Sequence, residues 1–311
     1  DNTEYSVRID EKNTSALLFD ATPYLREYTW NGSYRDLYHV NLKTGKKQKI
    51  ASRLPYSWAQ GSVSPNGRYV AYVENETLHV FDSKTGKKRQ VASDIDTVWV
   101  DELQDRPSEA SAYGFGGWLA DSTAFYAYDR FDVWLVTPLD TAINVSLGQG
   151  RKNQTSYRIE KKKEGHYQAG EPLLVKSFHE QLKTSGFYLL NPVNGALDLL
   201  RAGEKSYRLV QQFPAENLIY FTEQDFRQFP NMLVADTHFT AAVQITDVNP
   251  QQSEFIWGTA ELVEWQSQVG DTLQGVLLKP DNYDPSRAYP VVVYYYEKFS
   301  QRVYQYNQMK V

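Results

Sequence analysis

The chain has 311 residues, 41% of them hydrophobic and 14% aromatic, which is enough for a sizeable core and for two domains. A formal net charge of -5 with mixed signs gives no electrostatic case for nucleic acid or an anionic membrane surface, and no apolar run reaches the roughly 18 residues that span a bilayer. The absence of cysteine removes disulfides, thiolate metal sites and a cysteine nucleophile together.

In chain order the sequence falls into units of about 40 to 70 residues that repeat one rhythm: an apolar strand, a turn, a second strand ending near Asp or Asn, a Gly-containing turn and a short last strand. The first unit reads Ser15–Asp20, Asp36–Leu42, the turn Lys43–Lys46 and Gln48–Ala51. The second repeats it closely in Ser64–Val73, Thr77–Asp82, Ser83–Lys88 and Arg89–Ala92, so that "TGKK" followed by a short strand occurs twice. Trp118–Tyr128 and Asp129–Val136 form the main pair of a third unit, and Gly148–Lys163 reads as an insertion-like tail to it. A fourth unit follows in Gly170–Phe178, Ser185–Leu190, the turn Asn191–Gly195 and Ala196–Leu200, and a fifth in Asn217–Thr222, Asn231–Asp236 and Ala242–Thr246. Repeats of several antiparallel strands at this period are what β-propeller blades require, because one small sheet cannot bury both of its faces alone. The 23 tyrosines suit such pleated surfaces.

Pro250-Gln-Gln252 reads as a linker, after which the pattern changes. Leu262–Trp265 and Leu273–Leu278, joined through Val269-Gly-Asp271, predict a β-hairpin. Val291–Tyr296, continuously apolar and aromatic after Pro290, predicts a strand buried on both faces, of the kind found in α/β sheets.

Little in the sequence announces chemistry directly. His39, His79, His166, His179 and His238 show no metal-binding spacing; His39 and His79 occupy equivalent strand positions in two units, which favours a structural role. No Gly-x-Ser-x-Gly elbow occurs, and Gly114–Gly117 and Gly148–Gly150 lack phosphate-loop spacing and read as turns. Asp101-Glu102 reads as a solvated loop, and the basic runs Lys43–Lys47 and Arg158–Lys163 as solvated turns or edges. Asp129, Arg130 and Asp132 have two readings. They line a channel or substrate cavity, or they satisfy a turn and form an ion pair that stabilises the blade; the turn is the simpler.

The stretch "VEWQSQVGDTLQGVLLKPDNYDPSRAYPVVVYYYEKFS" resembles the entry into the catalytic domain of the prolyl oligopeptidase family of serine peptidases, which includes dipeptidyl peptidase IV. There a strand pair with a "G..L.G.L..P" pattern precedes a "YP.VV..Y" strand of an α/β-hydrolase domain, and a β-propeller stands before it. "SPNGRYVAYV" is similar to blade openings of that family, "YGFGGW" with "YAYDRFDVWLV" to strings in its bacterial members, and "EQDFRQFPN" to an acidic-Arg-aromatic loop. The resemblance implies a mainly β chain, an incomplete propeller of about five blade-like units over 1–250, followed over 251–311 by a linker and the first strands of the α/β-hydrolase domain. Family propellers have about seven or eight blades, so two or three are expected before Asp1 and the chain is expected to be a segment of a larger protein.

On this reading the propeller limits access of a peptide substrate to a Ser-His-Asp hydrolase whose triad is absent from this chain, the chain alone is inactive, no cofactor or metal is used, and a homodimer is one state open to the parent. The resemblance places one site residue here. Tyr296 aligns with the tyrosine at the C-terminal end of the early hydrolase strand, which donates its hydroxyl to the tetrahedral oxyanion, although Glu297-Lys298 stands where the family has small residues. The compartment stays open between periplasmic or secreted and cytoplasmic. A second function class remains: a non-catalytic propeller that binds a protein or glycan, with 255–311 as a terminal extension. A Gly-x-Ser-x-Gly within about 100 residues beyond Val311, followed by Asp and His, decides for the enzyme.

Overall fold

The computed structural model describes residues 5–10, 12–58, 60–162, 165–296 and 298–307. Strand accounts for 43% of the chain and helix for 7%. Among the described residues five four-stranded sheets follow one another in sequence order, one for each predicted unit, and the strands pair antiparallel. The first contains β1 (Tyr5–Ile9), β2 (Ser15–Asp20), β3 (Tyr34–Asn41) and β4 (Lys47–Pro55). The second contains β5 (Ser62–Val63), β6 (Tyr69–Glu74), β7 (Thr77–Asp82) and β8 (Lys87–Gln90).

The turns that close these units share one chemistry. Asn41 accepts backbone N–H bonds from Lys43 and Thr44 through its Oδ1, both at 3.0 Å, and its carbonyl receives Gly45 N at 2.8 Å. Asp82 does the same, receiving Lys84 N on Oδ1 at 2.9 Å and Gly86 N on its carbonyl at 2.7 Å. Gly45 and Gly86 sit at φ 70° and 72°, a conformation that an L side chain resists, and for this reason "TGKK" recurs. Asn191-Pro-Val-Asn-Gly195 makes the turn a third time, with Gly195 at φ 71°.

Period-2 alternation stacks the sheets. Along β6, Val70 and Tyr72 pack with Leu17, Phe19, Leu37, Ile50 and Leu54 of the first sheet. Ala71 and Val73 point the other way, into a cluster with Trp99, Trp118, Phe125 and Val136. The second sheet thus buries both faces, which matches the central residues of β6 lying at 0–1% exposure.

The third sheet contains β9 (Phe115–Trp118), β10 (Phe125–Tyr128), β11 (Val133–Val136) and β12 (Ala142–Asn144), and a one-turn helix α1 (Gln149–Lys152) follows it. Gly116 and Gly117 therefore lie within a strand and not in the turn expected for Gly114–Gly117. Close packing is the reason: a Cβ on Gly116 would meet Ile159 Cδ1 at 2.7 Å and Tyr126 Cβ and the Tyr128 hydroxyl at 2.8 Å. Gly116→Ala is expected to cost about 1–3 kcal/mol by overpacking, read as a lowered urea midpoint. A loss below roughly 0.5 kcal/mol would show that these neighbours yield freely.

The fourth sheet contains β13 (Thr155–Ile159), β14 (Leu173–His179), β15 (Ser185–Leu190) and β16 (Leu197–Gly203). β13 corrects the reading of Gly148–Lys163 as a tail of the third unit, since alternate side chains Thr155, Tyr157 and Ile159 are buried and the segment is the first strand of the fourth sheet. Lys163 lies outside the described residues. The fifth sheet contains β17 (Ser206–Phe213), β18 (Leu218–Gln224), β19 (Asn231–Ala235) and β20 (Val243–Gln244). Phe187, Tyr207, Ile219, Phe221, Leu233 and Phe239 form its core.

The chain divides into two compact units, one of residues 1–152, 157–173 and 190–196 and the other of 153–156, 174–189 and 197–311, so the fourth sheet contributes residues to both. In the second unit, Pro250–Glu254, which include the segment read as a linker, form a 3₁₀ turn. The predicted hairpin is present as β21 (Thr259–Gln266) and β22 (Thr272–Lys279), in register from Thr259↔Lys279 to Gln266↔Thr272, with Gly270 at φ 93° in the turn. Val291–Tyr296 differs from expectation. It has no strand pairing, and its side chains are 74–92% exposed. An apolar run becomes a buried strand only where neighbours occupy its edges and layers cover its faces, and the described residues supply neither.

Candidate active site

Asp129, Arg130 and Asp132 occupy the tight connection between β10 and β11, and the two aspartates are buried at 2% and 1% exposure. Asp129 Oδ1 accepts the N–H groups of Phe131 at 2.8 Å and Asp132 at 2.6 Å. Its Oδ2 accepts the Thr97 hydroxyl at 3.2 Å and the Trp134 indole N–H at 3.1 Å. Asp132 Oδ1 accepts the Ser146 hydroxyl at 2.7 Å and Gly150 N at 2.9 Å, while Oδ2 accepts Arg151 N at 3.2 Å. Both carboxylates are thus committed: Asp129 satisfies the turn, and Asp132 holds Ser146 and α1 to it.

Ion pairs surround the turn: Arg151 Nη2 lies 3.9 Å from Asp129 Oδ2, and a second guanidinium, that of Arg130, stands one residue on. Arg130 Nη1 is 3.7 Å from Glu102, whose carboxylate also receives both Arg151 Nη atoms, at 2.6 and 3.3 Å. Glu102 therefore corrects the reading of Asp101-Glu102 as a solvated loop, because two guanidinium groups reach across to it; Asp101 keeps the loop role, accepting Leu103 N at 3.0 Å. Arg158 was expected in a solvated run and is instead sunk between the rings of Tyr113 and Tyr128, at 5.5 and 4.8 Å from their centroids. It donates to the carbonyls of Tyr157, Asp129 and Arg130 at 2.8–3.0 Å. Burial pulls its guanidinium below the ordinary range. Burial also pushes the Tyr113 phenol up to about 12, so this phenol is neutral at pH 7; its oxygen accepts Glu102 N at 2.9 Å. Ser146 and Arg151 had no signal in the sequence, while Tyr113 stood out only within "YGFGGW" and Arg158 only within the basic run. The network has its donors and acceptors matched, and it offers no carboxylate free to act as a general base.

His39 and His79 hold strand positions as expected. His39 is buried, with Nε2 at 3.2 Å from the Gly67 carbonyl, and burial lowers its pKa. His79 Nε2 lies 2.9 Å from the Thr77 hydroxyl. Among the described residues no group of three His, Asp or Glu side chains comes together that could hold a metal ion. No helix among them is long and apolar enough to cross a membrane.

Tyr296 lies in the second unit. Its side chain is 74% exposed, and its ring sits 6.1 Å from that of Phe299, which also meets Tyr294 at 5.3 Å. Among the described residues its hydroxyl has no hydrogen-bond partner, so the O–H is open to a ligand. Glu297 lies outside the described residues.

No family model and no curated protein matches the chain. Solved structures do. A puromycin-hydrolysing peptidase of Mycobacterium tuberculosis aligns over 88% of this chain and 41% of its own, with a TM-score of 0.54 and 10% identity. A puromycin hydrolase variant complexed with PGG aligns over 88% and 42%, with a TM-score of 0.52 and 11% identity. The chain has the fold of these two enzymes. Dipeptidyl peptidase 4 of Porphyromonas gingivalis also aligns, over 91% of this chain and 58% of its own, at 13% identity and a TM-score of 0.44. The chain therefore spans about two-fifths to three-fifths of the length of the solved structures it matches.

Proposed function

We propose that this chain is part of a serine peptidase of the prolyl oligopeptidase family, with a propeller segment over 1–250 and the entry into the α/β-hydrolase domain over 251–311. The observation that carries the reading is the order of parts: five consecutive four-stranded antiparallel sheets, then the β21–β22 hairpin, then the "YP.VV..Y" run, in a chain with the fold of two puromycin-hydrolysing peptidases. The propeller's role is to restrict which peptides reach the hydrolase.

The chemistry is acyl transfer. A serine hydroxyl contributed from outside residues 1–311 adds to the scissile carbonyl carbon while its proton passes to a histidine, and the carbonyl π pair moves onto oxygen. The Tyr296 O–H then donates a hydrogen bond to that oxyanion. A phenol O–H is a hydrogen-bond donor on a rigid ring, which suits this task. Collapse of the intermediate returns the proton to the leaving amine and leaves an acyl-serine, which water hydrolyses.

The test is covalent labelling. A fluorophosphonate is expected to label the full-length protein at a single serine and to leave residues 1–311 unlabelled, because the Asp129 network supplies neither a nucleophile nor a base. Labelling within 1–311 would move the nucleophile into this chain and overturn its assignment elsewhere. A full-length protein that neither labels nor cleaves peptides would favour a binding module.

A further inference from the structure

Four segments distant in sequence converge beside the fifth sheet, all within the second unit. The loop between β18 and β19 closes on itself, with Asp225 Oδ1 accepting the N–H groups of Arg227 and Gln228, both at 2.8 Å. Trp257 docks on this loop: its indole N–H donates to the Phe226 carbonyl at 2.8 Å, and its own carbonyl receives the Arg227 guanidinium at 3.0 Å. Arg227 also reaches Asp281 at 3.2 Å, just beyond β22. Tyr306 completes the assembly. Its ring stacks on Trp257 at 5.2 Å and 10°, and meets Phe229 edge-on at 5.2 Å and 70°. Its backbone N–H donates to Gln224 Oε1 at 3.0 Å, and its hydroxyl accepts Asn249 Nδ2 at 3.0 Å.

Trp257 and Tyr306 thus close the ends of the excursion that contains the hairpin and Tyr296. From Tyr306 the path back to Tyr296 is short. Val303, buried at 2% exposure, leads to the 3₁₀ turn Phe299–Arg302, and the Phe299 ring packs against Tyr294 and Tyr296. Among the described residues the Tyr296 run has no strand partners of its own, so the turn Phe299–Arg302, which meets β22 and leads through Val303 to Tyr306, ties it to the rest of the unit.

We propose that the Trp257–Tyr306 stack, seated on Phe229 and Arg227, is a clasp that positions Tyr296 for catalysis. The proposal rests on Tyr296 acting as the oxyanion donor. Trp257 and Tyr306 are positioning residues and touch no substrate. An aromatic stack suits the task because it fixes two chain ends in distance and in tilt, whereas a single exposed ion pair is weak and screened by salt. An oxyanion donor displaced by about 1 Å loses much of its effect on kcat and leaves ground-state binding intact.

The experiment is a double-mutant cycle in the full-length protein on a peptide substrate, with hydrogen exchange of residues 298–307 followed in parallel. Trp257→Ala is expected to lower kcat roughly ten- to hundredfold with KM unchanged, and to speed exchange in 298–307 while leaving β18 and β19 protected. Trp257→Phe, which keeps a ring to stack on Tyr306, is expected to recover most of the loss. In a Tyr296→Phe background Trp257→Ala is expected to cost nothing further, because the group it positions is gone. If the two losses multiply, if kcat is unchanged in Trp257→Ala, or if exchange rises equally throughout the fifth sheet, the clasp proposal is overturned while the oxyanion reading stands. If Tyr296→Phe alone is silent, the oxyanion reading falls, and the clasp loses its catalytic role with it.

Discussion

Replacing Tyr296 by Phe in the full-length enzyme is expected to lower kcat roughly 10²- to 10³-fold with little change in KM. The substitution removes one O–H and keeps the ring, so the contact with Phe299 survives. The hydroxyl has no protein partner among the described residues, so its removal leaves no buried donor or acceptor unpaired and the fold is expected to lose less than about 0.5 kcal/mol. A fall in kcat in a stably folded variant would therefore report chemistry. The interaction exists only once negative charge has developed on the carbonyl oxygen, which is why the loss belongs in kcat and not in KM. Tyr295→Phe is the control for register. If it removes activity while Tyr296→Phe retains it, the donor is one residue earlier; if neither matters, the oxyanion role is wrong.

The parts of the fold that were legible are those where local chemistry repeats. Asn41, Asp82 and Asn191 each receive their turn's N–H groups, and a positive-φ glycine follows four residues later, so the turn can be read before any contact is known. β6 was legible because its apolar run is nearly continuous, as burial on both faces requires, and β7 because Leu78, Val80 and Phe81 follow it across a short turn. β13 was hidden by its surroundings, lying between a helical turn and a basic run, and β17, "SYRLVQQF", is too polar to stand out. Val291–Tyr296 was over-read for the opposite reason: strand propensity measures fit to a packed pleated surface, and that surface comes from other segments.

The same division holds at the polar network. The turn role of Asp129 followed from its place between two strands, and its short-range bonds agree with it, whereas Asp132 turns its carboxylate to Ser146, Gly150 and Arg151, 14 to 19 residues on. Arg151 meets Glu102 across 49 residues and Arg158 meets the Asp129 carbonyl across 29, distances over which spacing carries no signal. Tyr296 stands apart from both cases, since its role is argued from resemblance.

Asp132→Ala is expected to destabilise the first unit by about 3–5 kcal/mol, an effect of the size that removing one partner of a buried, hydrogen-bonded charge produces. Three donors converge on this carboxylate: the Ser146 hydroxyl, itself buried, and the backbone N–H groups of Gly150 and Arg151 in the first turn of α1. Alanine leaves all three facing a small cavity from which water is largely excluded, and it removes the anion that satisfies α1 at its start. Little relaxation can compensate. A Cβ on Gly150 would already lie 2.8 Å from the Phe131 carbonyl oxygen and 2.9 Å from Asp132 Oδ1, so the helix turn is pressed against this strand connection and cannot swing to find other acceptors. Asp132→Asn keeps one carbonyl oxygen for Ser146 and Gly150 and turns an amide donor towards Arg151 N, so an intermediate loss of about 1–3 kcal/mol is expected. Urea unfolding followed by tryptophan fluorescence gives both values, because Trp118 and Trp134 belong to the sheet whose β10–β11 connection carries Asp132. If Asp132→Ala cost less than about 1 kcal/mol, or no more than Asp132→Asn, the carboxylate would not be holding α1 to the third sheet, and the pair of buried aspartates would need a role other than satisfying the turn.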